Sequence, residues 1–263
     1  MKISKNLSLA ITASIDAGIE ILKIYNQKTV DFELKSDNSP LTLADITANN
    51  IINKYLLKTQ IPIISEENKS VDYEIRKNWK TFWMIDPLDG TKEFINKNGE
   101  FTVNISLIVD NIPTIGVVFA PFLGEIYYAE KNLGSFKSKF VSSNSLSLKN
   151  LIKNSIKLPI HNKRKNYTIV VSRSHLDKNT LKFIEEKKRI YKDVSIVKCG
   201  SSIKICKIAE GVADCYPRFF PLMEWDIAAG IAIYLNSPNN INSMTEFNFN
   251  SQDLKINQFL LEK

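Results

Sequence analysis

The sequence has no apolar run long enough to cross a membrane as a helix. A membrane-spanning helix needs roughly 20 consecutive apolar residues, and no stretch of the 263 residues reaches that length. The N-terminus has a basic start followed by apolar residues, but Asp16 and Glu20 interrupt it and its apolar positions recur at helical spacing. We therefore expect an amphipathic first helix instead of a targeting segment, and a cytoplasmic protein.

Cysteine is also scarce. Cys199, Cys206 and Cys215 form no CxxC pair and lie among apolar residues. An odd number of such cysteines is typical of small core side chains in a reducing compartment. We expect free thiols and no disulfide framework.

Arginine is the third residue type in short supply, with 5 Arg against 30 Lys and a net charge of +7. The lysines are scattered, without an aromatic-interleaved basic stripe or a nucleic-acid-binding motif. We therefore expect no nucleic acid partner. The positive field would still favour an anionic small-molecule substrate.

The hydrophobic pattern predicts an α/β protein whose two layered halves, about 1–140 and 160–263, form a single domain. The first half combines helices with an antiparallel meander at 101–140, and the second half alternates strands and helices. The polar segment 141–166 is the best candidate for the junction between the halves. We find no internal repeat.

The motif DPLDGT begins where the apolar strand predicted at 81–85 ends. Because Pro87 cannot continue a ladder of hydrogen bonds, we expect the chain to turn there. Asp86, Asp89 and the carbonyl of Leu88 would then share one small volume. Close carboxylates raise one another's pKa, and a hard divalent cation such as Mg²⁺ relieves that repulsion. A turn with solvated acids is the alternative.

Three further acids lie at strand ends or helix starts. Glu66 follows a short apolar strand, Asp226 interrupts an apolar helix start, and Asp45 lies in the first turn of a helix predicted to begin at Thr42. A buried acid needs a partner. Capping of a helix N-terminus is the alternative role for Asp45 and Asp226.

Gly90 and Thr91 follow directly after the acids. Backbone N–H groups at such a turn can cradle a phosphate. The hydroxyl of Thr91, together with Asp45, can orient a water molecule. This combination indicates metal-assisted hydrolysis of a phosphate ester.

Several long motifs resemble the inositol monophosphatase-like superfamily of lithium-sensitive, Mg²⁺-dependent phosphatases. They are DNSPLTLAD (37–45), SEE (65–67), DPLDGTKEF (86–94) and EWDIAAG (224–230). Longer segments around DPLDGTKEF and GSSIK look most like the bacterial 3'(2'),5'-bisphosphate nucleotidases of that superfamily. The resemblance covers nearly the whole chain to about residue 235 and implies a layered α-β-α-β-α sandwich.

The resemblance also implies roles for individual residues. The implied ligands of Mg²⁺ are Glu66, Asp86, the Leu88 carbonyl, Asp89 and Asp226. Asp45 and Thr91 would help to activate the nucleophilic water. The implied contacts of the substrate are Glu66, Leu88, Asp89, Gly90, Thr91, His175, Ser201, Lys204, Arg218 and Asp226. The implied reaction is hydrolysis of adenosine 3',5'-bisphosphate to AMP and phosphate in support of sulfate assimilation, with 3'-phosphoadenylyl sulfate as another candidate substrate.

Other interpretations remain open. The chief rival is a phosphatase of the same superfamily acting on inositol monophosphate or a sugar bisphosphate, and a rival of another class is a non-catalytic nucleotide-binding scaffold. His175 is compatible with a surface position at a helix start, and Lys204 with a solvated helix face. Oligomeric state and peripheral association with the inner membrane stay undecided, since only the positive charge favours the latter.

The C-terminal tail departs from the family pattern. After residue 235 the family usually has a Gly-rich turn, an Asp-Trp step and a closing Asn-Pro, whereas this chain has SPNNINS, TEF and Asn257-Gln258. The tail lies apart from the motifs that carry the acids. We therefore expect the departure to affect local stability and oligomer contacts more than catalysis.

Overall fold

The computed structural model describes residues 1–27, 31–35, 40–140, 147–160, 166–174, 176–238 and 247–263. The first three residues of the DNSPLTLAD motif, 37–39, and parts of the predicted junction, at 141–146 and 161–165, lie outside the described residues. The helices in the described part are α1 (Lys5–Tyr25), α2 (Leu43–Leu56), α3 (Tyr73–Arg76), α4 (Thr91–Ile95), α5 (Leu148–Lys153), α6 (Lys178–Ile190), α7 (Ile203–Glu210) and α8 (Glu224–Leu235). A short 3₁₀ turn, Leu57–Thr59, follows α2.

The strands are β1 (Phe32–Leu34), β2 (Pro40–Thr42), β3 (Ile63–Ser65), β4 (Thr81–Asp89), β5 (Thr102–Val109), β6 (Ile112–Ala120), β7 (Glu125–Glu130), β8 (Gly134–Lys139), β9 (Ile156–Lys157), β10 (Tyr167–Ser172), β11 (Val194–Cys199), β12 (Cys215–Arg218), β13 (Leu222–Met223), β14 (Lys255–Ile256) and β15 (Phe259–Glu262). Two pairs, β1 with β2 and β13 with β14, form separate two-stranded antiparallel ribbons.

A seven-stranded sheet in the order β3-β4-β5-β6-β7-β8-β9 forms the first β layer. Strands β3 and β4 are parallel, and the other neighbours are antiparallel. Along β4, Trp83 and Ile85 enter one hydrophobic cluster, whereas Phe82 and Met84 enter another. Because successive strand residues point to opposite faces, this sheet is buried on both sides. The meander predicted at 101–140 is confirmed as β5 to β8.

Helices α1 and α2 cover the first face of this sheet and pack against each other. Helix α1 begins after Ser4, whose side chain accepts a hydrogen bond from the N–H of Leu7. Its apolar face buries Ile11, Ala17 and Ile21 against the sheet. The amphipathic first helix is therefore confirmed. No helix in the described ranges combines the length and apolar character needed to span a membrane.

Helices α7 and α8 cover the second face. Helix α8 packs across β4, β5 and β6, and it approaches β6 at Gly116. A Cβ atom built at Gly116 would lie 2.3 Å from the carbonyl oxygen of Ala229 and 2.6 Å from the Cβ of Ala232. Only glycine therefore allows this close contact between helix and strand.

A second sheet, in the order β11-β10-β12-β15, lies on the other side of these two helices. Val170 on β10 faces α7 and α8, whereas Ile169 and Val171 face outward onto Ile184 of α6. The layers thus run α1/α2, seven-stranded sheet, α7/α8, four-stranded sheet and α6. The expected α-β-α-β-α sandwich is confirmed. Cys199, Cys206 and Cys215 are free and buried, as predicted.

Strand β4 does not end where the sequence predicted. Its pairing with β5 continues to Asp89, and the register shifts between Asp86, opposite Asn104, and Asp89, opposite Thr102. Three steps along β4 therefore face two steps along β5, which is a β-bulge. The prediction of a turn at Pro87 was wrong because a bulge also accommodates a proline that cannot donate to the ladder.

The C-terminal tail is joined to elements that carry predicted site residues. Strand β14 pairs with β13, which directly precedes α8 and Asp226. Strand β15 pairs with β12, which ends at Arg218. The expectation that this tail lies apart from the site motifs was therefore wrong, since spacing along the sequence did not show these strand pairings.

A buried polar contact fastens the tail to the body of the protein. Glu224 is fully buried and accepts hydrogen bonds from the N–H of Asn250 at 2.7 Å and the N–H of Ser251 at 2.8 Å. Arg76 donates to the side-chain oxygen of Asn250 at 2.7 Å, and its own carbonyl accepts from the Asn250 amide at 2.7 Å. We call Arg76, Glu224, Asn250 and Ser251 the tail clamp.

The tail clamp generates a prediction about stability. Asn250→Ala removes two buried side-chain hydrogen bonds and puts alanine at a φ of +81°. We expect a loss of about 2–3 kcal/mol in the free energy of unfolding. Asn250→Gly should lose about 1 kcal/mol less because glycine adopts positive φ readily. Urea denaturation measures both variants.

An exposed ion pair provides the control for this comparison. Lys188→Ala removes the salt bridge to Glu185 on the surface of α6, and it should change stability by less than about 0.5 kcal/mol. If both Asn250 variants matched this control, the tail clamp would not hold the tail in place.

Candidate active site

Three carboxylates meet where β3 and β4 end and α8 begins. One carboxylate oxygen from each of Glu66, Asp86 and Asp226 lies within 4.8 Å of the others. Glu66 is held beside β4 by a hydrogen bond from its N–H to the carbonyl of Ile85 at 3.3 Å. We call these three residues the acidic cluster.

Burial strongly disfavours negative charge in this cluster. The pKa values of Asp86 and Asp226 are raised well above the ordinary value, first by burial and then by the neighbouring acids. Burial also raises the pKa of Glu66, although the nearby Lys35 opposes that effect. The acidic cluster is thus a set of oxygen ligands whose negative charge is only partly balanced by positively charged side chains of the described residues.

Asp89 lies beside the acidic cluster but is held differently. Its Oδ2 accepts a hydrogen bond from the N–H of Ser202 at 2.6 Å and weaker contacts from Asn104 at 3.3 Å and Thr102 at 3.5 Å. Burial raises the pKa of Asp89, and Lys204 counteracts the increase. All three of these donors reach Oδ2, and no donor among the described residues reaches the other oxygen, Oδ1.

Ser202 connects both halves of the protein at this point. Its hydroxyl accepts a hydrogen bond from the Asn104 amide at 2.9 Å and donates to the backbone carbonyl of Asp226. Its N–H binds Asp89. A single residue before α7 therefore links the sheet that carries Asp89 to the helix that carries Asp226.

Asp45 and Thr91 are in contact. Asp45 Oδ2 accepts from the N–H of Thr42 at 2.7 Å and from the Thr42 hydroxyl at 2.5 Å, which forms a capping box at the start of α2. Its Oδ1 accepts from the hydroxyl of Thr91 at 3.2 Å. Asp45 thus caps the helix and also faces Thr91.

Asp226 likewise accepts a hydrogen bond from Met223 N–H at the start of α8, at 3.1 Å. The capping role that was the alternative for each acid is therefore combined with a position in the site.

Lys35 is a site residue that the sequence reasoning missed. Its ammonium group lies 2.7 Å from Glu66 and 2.5 Å from Glu67. Burial alone would lower the pKa of Lys35, but the two carboxylates raise it above the ordinary value. A cation from the β1–β2 region therefore already compensates part of the charge at Glu66.

One cavity of about 280 Å³ joins these groups to positively charged side chains. The residues that line it include Glu66, Asp89, Gly90, Thr91, Glu93, Ser172, Ser201, Ser202, Lys204, Tyr216, Arg218 and Asp226. Asp45, Asp86 and Leu88 are buried without lining it. The carbonyl of Leu88 lies 3.2 Å from the hydroxyl oxygen of Thr91, so it is an alternative acceptor to Asp45 for the single proton of that hydroxyl.

The predicted phosphate contacts on the second half lie in the same cavity wall. Lys204 is only 6% exposed, and its ammonium group donates to the carbonyl of Ser201 at 2.5 Å. A solvated helix face, the alternative for this lysine, is therefore wrong. The guanidinium of Arg218 lies over the ring of Phe220, 3.7 Å from its centroid. His175 lies outside the described residues.

The donor set fits a hard divalent cation. Every group in the acidic cluster offers oxygen, the ligand that such ions prefer. The raised pKa values of Asp86 and Asp226 show that the site lacks compensating positive charge. Two buried polar atoms nearby, Asn104 Oδ1 and Ser201 Oγ, also have no hydrogen-bond partner in the part of the chain that the structure describes. Such a site can bind a metal ion and a phosphate ester.

Two residues in this arrangement had a signal in the sequence. Asn104 interrupts the apolar strand TVNISLIV, and a polar residue there needs a buried partner. Glu93 follows Thr91 in a short helix that begins within the DPLDGTKEF motif. Lys35 and Ser202 had no comparable signal, because their partners are far away in the chain.

Comparisons with known proteins agree with this geometry. Residues 3–236 match the inositol monophosphatase family. The 3'(2'),5'-bisphosphate nucleotidase CysQ of Buchnera aphidicola subsp. Acyrthosiphon pisum (strain APS) is 43% identical over 237 residues, which are 89% of this chain and 83% of that protein. The CysQ protein of Escherichia coli (strain K12) is 38% identical over 221 residues, covering 83% and 82%.

Solved structures give the same result. The crystal structure of CysQ from Bacteroides thetaiotaomicron superposes with a TM-score of 0.88 at 42% identity and covers 98% of this chain and 96% of that one. A Thermotoga maritima IMPase superposes with a TM-score of 0.71 at 21% identity, over 98% and 92% of the two chains. The second similarity shows the fold alone.

The charge of the acidic cluster generates a prediction about pH. A carboxyl group whose pKa is higher in the folded than in the unfolded protein lowers stability as the pH rises. The loss begins near the pKa of the unfolded state and is complete above the pKa of the folded state. In the presence of a chelator, Asp226→Asn should therefore raise the melting temperature at pH 8 by roughly 2–4 °C or more. At pH 5 the gain should be smaller, because the folded wild-type protein then carries more protons. Differential scanning calorimetry measures both.

Exposed Glu185 provides the control, since Glu185→Gln should leave the melting temperature nearly unchanged at both pH values. Adding a divalent cation should stabilise the wild-type protein more than Asp226→Asn. A variant that is less stable than wild type at pH 8 in chelator would contradict the electrostatic account of this cluster.

Proposed function

The chain belongs to the inositol monophosphatase family, and from this premise we propose that it is a 3'(2'),5'-bisphosphate nucleotidase. It hydrolyses adenosine 3',5'-bisphosphate to AMP and phosphate, and it thereby supports sulfate assimilation. The compound 3'-phosphoadenylyl sulfate carries the same 3'-phosphate and is a second substrate to test.

One observation carries the choice of substrate. The cavity that contains Glu66, Asp89 and Asp226 is also lined by Lys204 and Arg218. Acids suit a metal-bound phosphate that is hydrolysed, whereas buried cations suit a second phosphate that is only bound. A substrate with two separated phosphates uses both sets of groups, and a monophosphate uses only one.

Mg²⁺ is the proposed metal because all the available ligands are oxygens. The residues that would hold it are Glu66, Asp86, the Leu88 carbonyl, Asp89 and Asp226. When bound, Mg²⁺ lowers the pKa of water and neutralises charge on the transferring phosphoryl group. The hydrogen bonds of Asp89 Oδ2 to Ser202 and Asn104 fix that carboxylate in one orientation.

Asp45 and Thr91 prepare the nucleophile. Thr42 holds Oδ2 of Asp45 with two hydrogen bonds, so that Oδ1 remains directed at the hydroxyl of Thr91. When Thr91 donates its proton to Asp45, the lone pairs of its oxygen are free to accept a proton from water. Burial raises the pKa of Asp45, which makes this carboxylate a better proton acceptor.

The loop before α4 shapes the place where the phosphate is bound. Gly90 adopts a φ of +89°, and a Cβ there would lie 3.1 Å from the carbonyl oxygen of Glu100. The chain therefore turns sharply next to Asp89, and Gly90 and Thr91 both line the cavity. Backbone at such a turn can approach a phosphate closely.

The second half supplies the contacts for the other phosphate. Lys204 and Arg218 come from α7 and β12, while the acids Glu66 and Asp89 come from the first half. We therefore propose that the two halves work as a single functional domain, because neither contains the complete set of groups. The planar guanidinium of Arg218 is suited to bidentate contact with phosphate.

Phosphate release tests the proposed function. The purified protein is offered adenosine 3',5'-bisphosphate or inositol 1-phosphate with Mg²⁺, with a chelator, and with added Li⁺. We expect a strong preference for the bisphosphate, loss of activity in chelator and inhibition by Li⁺. Preference for inositol 1-phosphate would retain the metal site but overturn the substrate.

Asp89→Asn is the control for the catalytic mechanism. It keeps an acceptor for Ser202 but removes the charge, and turnover should fall by on the order of a hundredfold or more. If wild-type protein released no phosphate from either compound yet bound the bisphosphate, the scaffold interpretation would replace the enzymatic one.

Lys204 provides a prediction about specificity. Lys204→Met keeps an unbranched side chain of similar volume but removes the charge that would contact the second phosphate. The value of kcat/KM for adenosine 3',5'-bisphosphate should fall roughly 10- to 100-fold, with little change for inositol 1-phosphate. Lys182→Met on the exposed side of α6 controls for the loss of net charge. Equal losses for both substrates would refute the assignment of Lys204.

A further inference from the structure

Glu93 is a buried acid in the cavity wall that the proposed mechanism does not use. It lies in α4, two residues after Thr91, and is only 6% exposed. It lines the same cavity as Lys204 and Arg218. A buried carboxylate is costly unless it serves a purpose or is fully hydrogen-bonded, so its position requires an explanation.

The local contacts satisfy only one of its oxygens. The hydroxyl of Ser174 donates to Glu93 Oε1. The Glu93 stem packs against Gly200, where an added Cβ would lie 2.8 Å from Glu93 Cγ. Among the described residues, no hydrogen-bond donor reaches Oε2. Glu93 lines the cavity, where this oxygen can accept a hydrogen bond from a ligand.

Glu93 is not needed to hold its neighbour Ser174 in place. The preceding residue, Arg173, forms two hydrogen bonds of 2.7 Å to the carboxylate of Glu100. Arg173 also donates to the carbonyl of Lys198 at 3.0 Å. These contacts hold the segment after β10 without a hydrogen bond from Arg173 to Glu93, and the interaction of Glu93 with the positive charge of Arg173 is electrostatic only. Holding this segment therefore does not by itself explain why Glu93 lines the cavity.

The chemistry of the cavity limits what Oε2 can bind. A carboxylate repels phosphate, so Glu93 cannot face either phosphate of a bisphosphate substrate without cost. It can accept a hydrogen bond, and in adenosine 3',5'-bisphosphate the uncharged donors are the 2'-hydroxyl of the ribose and the amino group of the base. Both belong to the nucleoside.

We propose that Glu93 is a specificity-determining residue that accepts a hydrogen bond from the nucleoside part of the substrate. This proposal rests on the proposed nucleotidase function and extends it. Glu93 favours a donor at its position and disfavours a third phosphate there. The Ser174 contact orients the carboxylate so that Oε2 stays directed at the ligand.

Substrate analogues test the proposal. Values of kcat and KM are measured for adenosine 3',5'-bisphosphate, its 2'-deoxy analogue and inosine 3',5'-bisphosphate, which lacks the amino group. For the wild-type protein, the analogue without the recognised donor should lose roughly tenfold or more in kcat/KM. Which analogue suffers the loss distinguishes the ribose from the base.

Glu93→Gln removes the charge but keeps the shape of the side chain. It should lower kcat/KM for the parent compound roughly tenfold. For the analogue that lacks the recognised donor, kcat/KM should be the same in Glu93→Gln as in the wild-type protein, because both changes remove the same contact. Glu185→Gln on the exposed surface of α6 is the matched control. It makes the same chemical change away from the cavity, so the preference for the parent compound should persist.

Two results would overturn the proposal. Either the wild-type protein handles all three bisphosphates alike, or Glu93→Gln lowers all three equally, as general damage to the site would. Calorimetric binding of the same compounds to both proteins separates this failure from a failure of the proposed function. If the protein lacks turnover but binds the parent compound selectively through Glu93, the proposed function fails and the role of Glu93 stands. If binding is not selective, the role of Glu93 fails whatever the turnover.

Discussion

The repulsion among buried carboxylates is the constraint on which the site depends. Glu66, Asp86 and Asp226 lie within 4.8 Å of one another, and burial keeps their charges from being screened by water. Adjacent residues of one strand point to opposite faces, so neighbouring acids on a strand would not converge. The protein brings them from the ends of two parallel strands and the start of a helix.

The same constraint explains features that would otherwise look like irregularities. The bulge in β4 places Asp89 opposite Thr102 of β5 after a shift in register, so that Asp89 can accept a hydrogen bond from the N–H of Ser202. The capping interactions at Asp45 and Asp226 fix each carboxylate by bonding one of its oxygens. A carboxylate that accepts a hydrogen bond from a backbone N–H group is held in one side-chain conformation. The acids therefore stay close together although their charges repel one another.

Parts of the site could be predicted from the sequence because their signals are local. The acids in DPLDGT and at Asp226 stand out against apolar surroundings, and helical and strand periodicity predicted individual elements such as α1 and the meander, whereas the layered sandwich was implied by the resemblance to the family. The contacts of Lys35 and Ser202 could not be predicted, since they depend on how distant segments pack. The bulge at Pro87 was mistaken for a turn because one proline is compatible with both. The role of the tail was missed because two-residue strands such as β14 carry almost no periodic signal.

The strand pairings of the tail have a consequence for the order in which the protein is made. Synthesis proceeds from the N-terminus, and early segments fold before later ones leave the ribosome. Glu66, Asp86 and Asp89 belong to a sheet whose strands all precede residue 160. Arg218 and Asp226, in contrast, lie next to strands whose partners are β14 and β15, near the end of the chain. Assembly of the proposed site therefore waits for β14 and β15, and a chain that stops before them contains the proposed catalytic side chains but lacks the strands that pair beside Arg218 and Asp226.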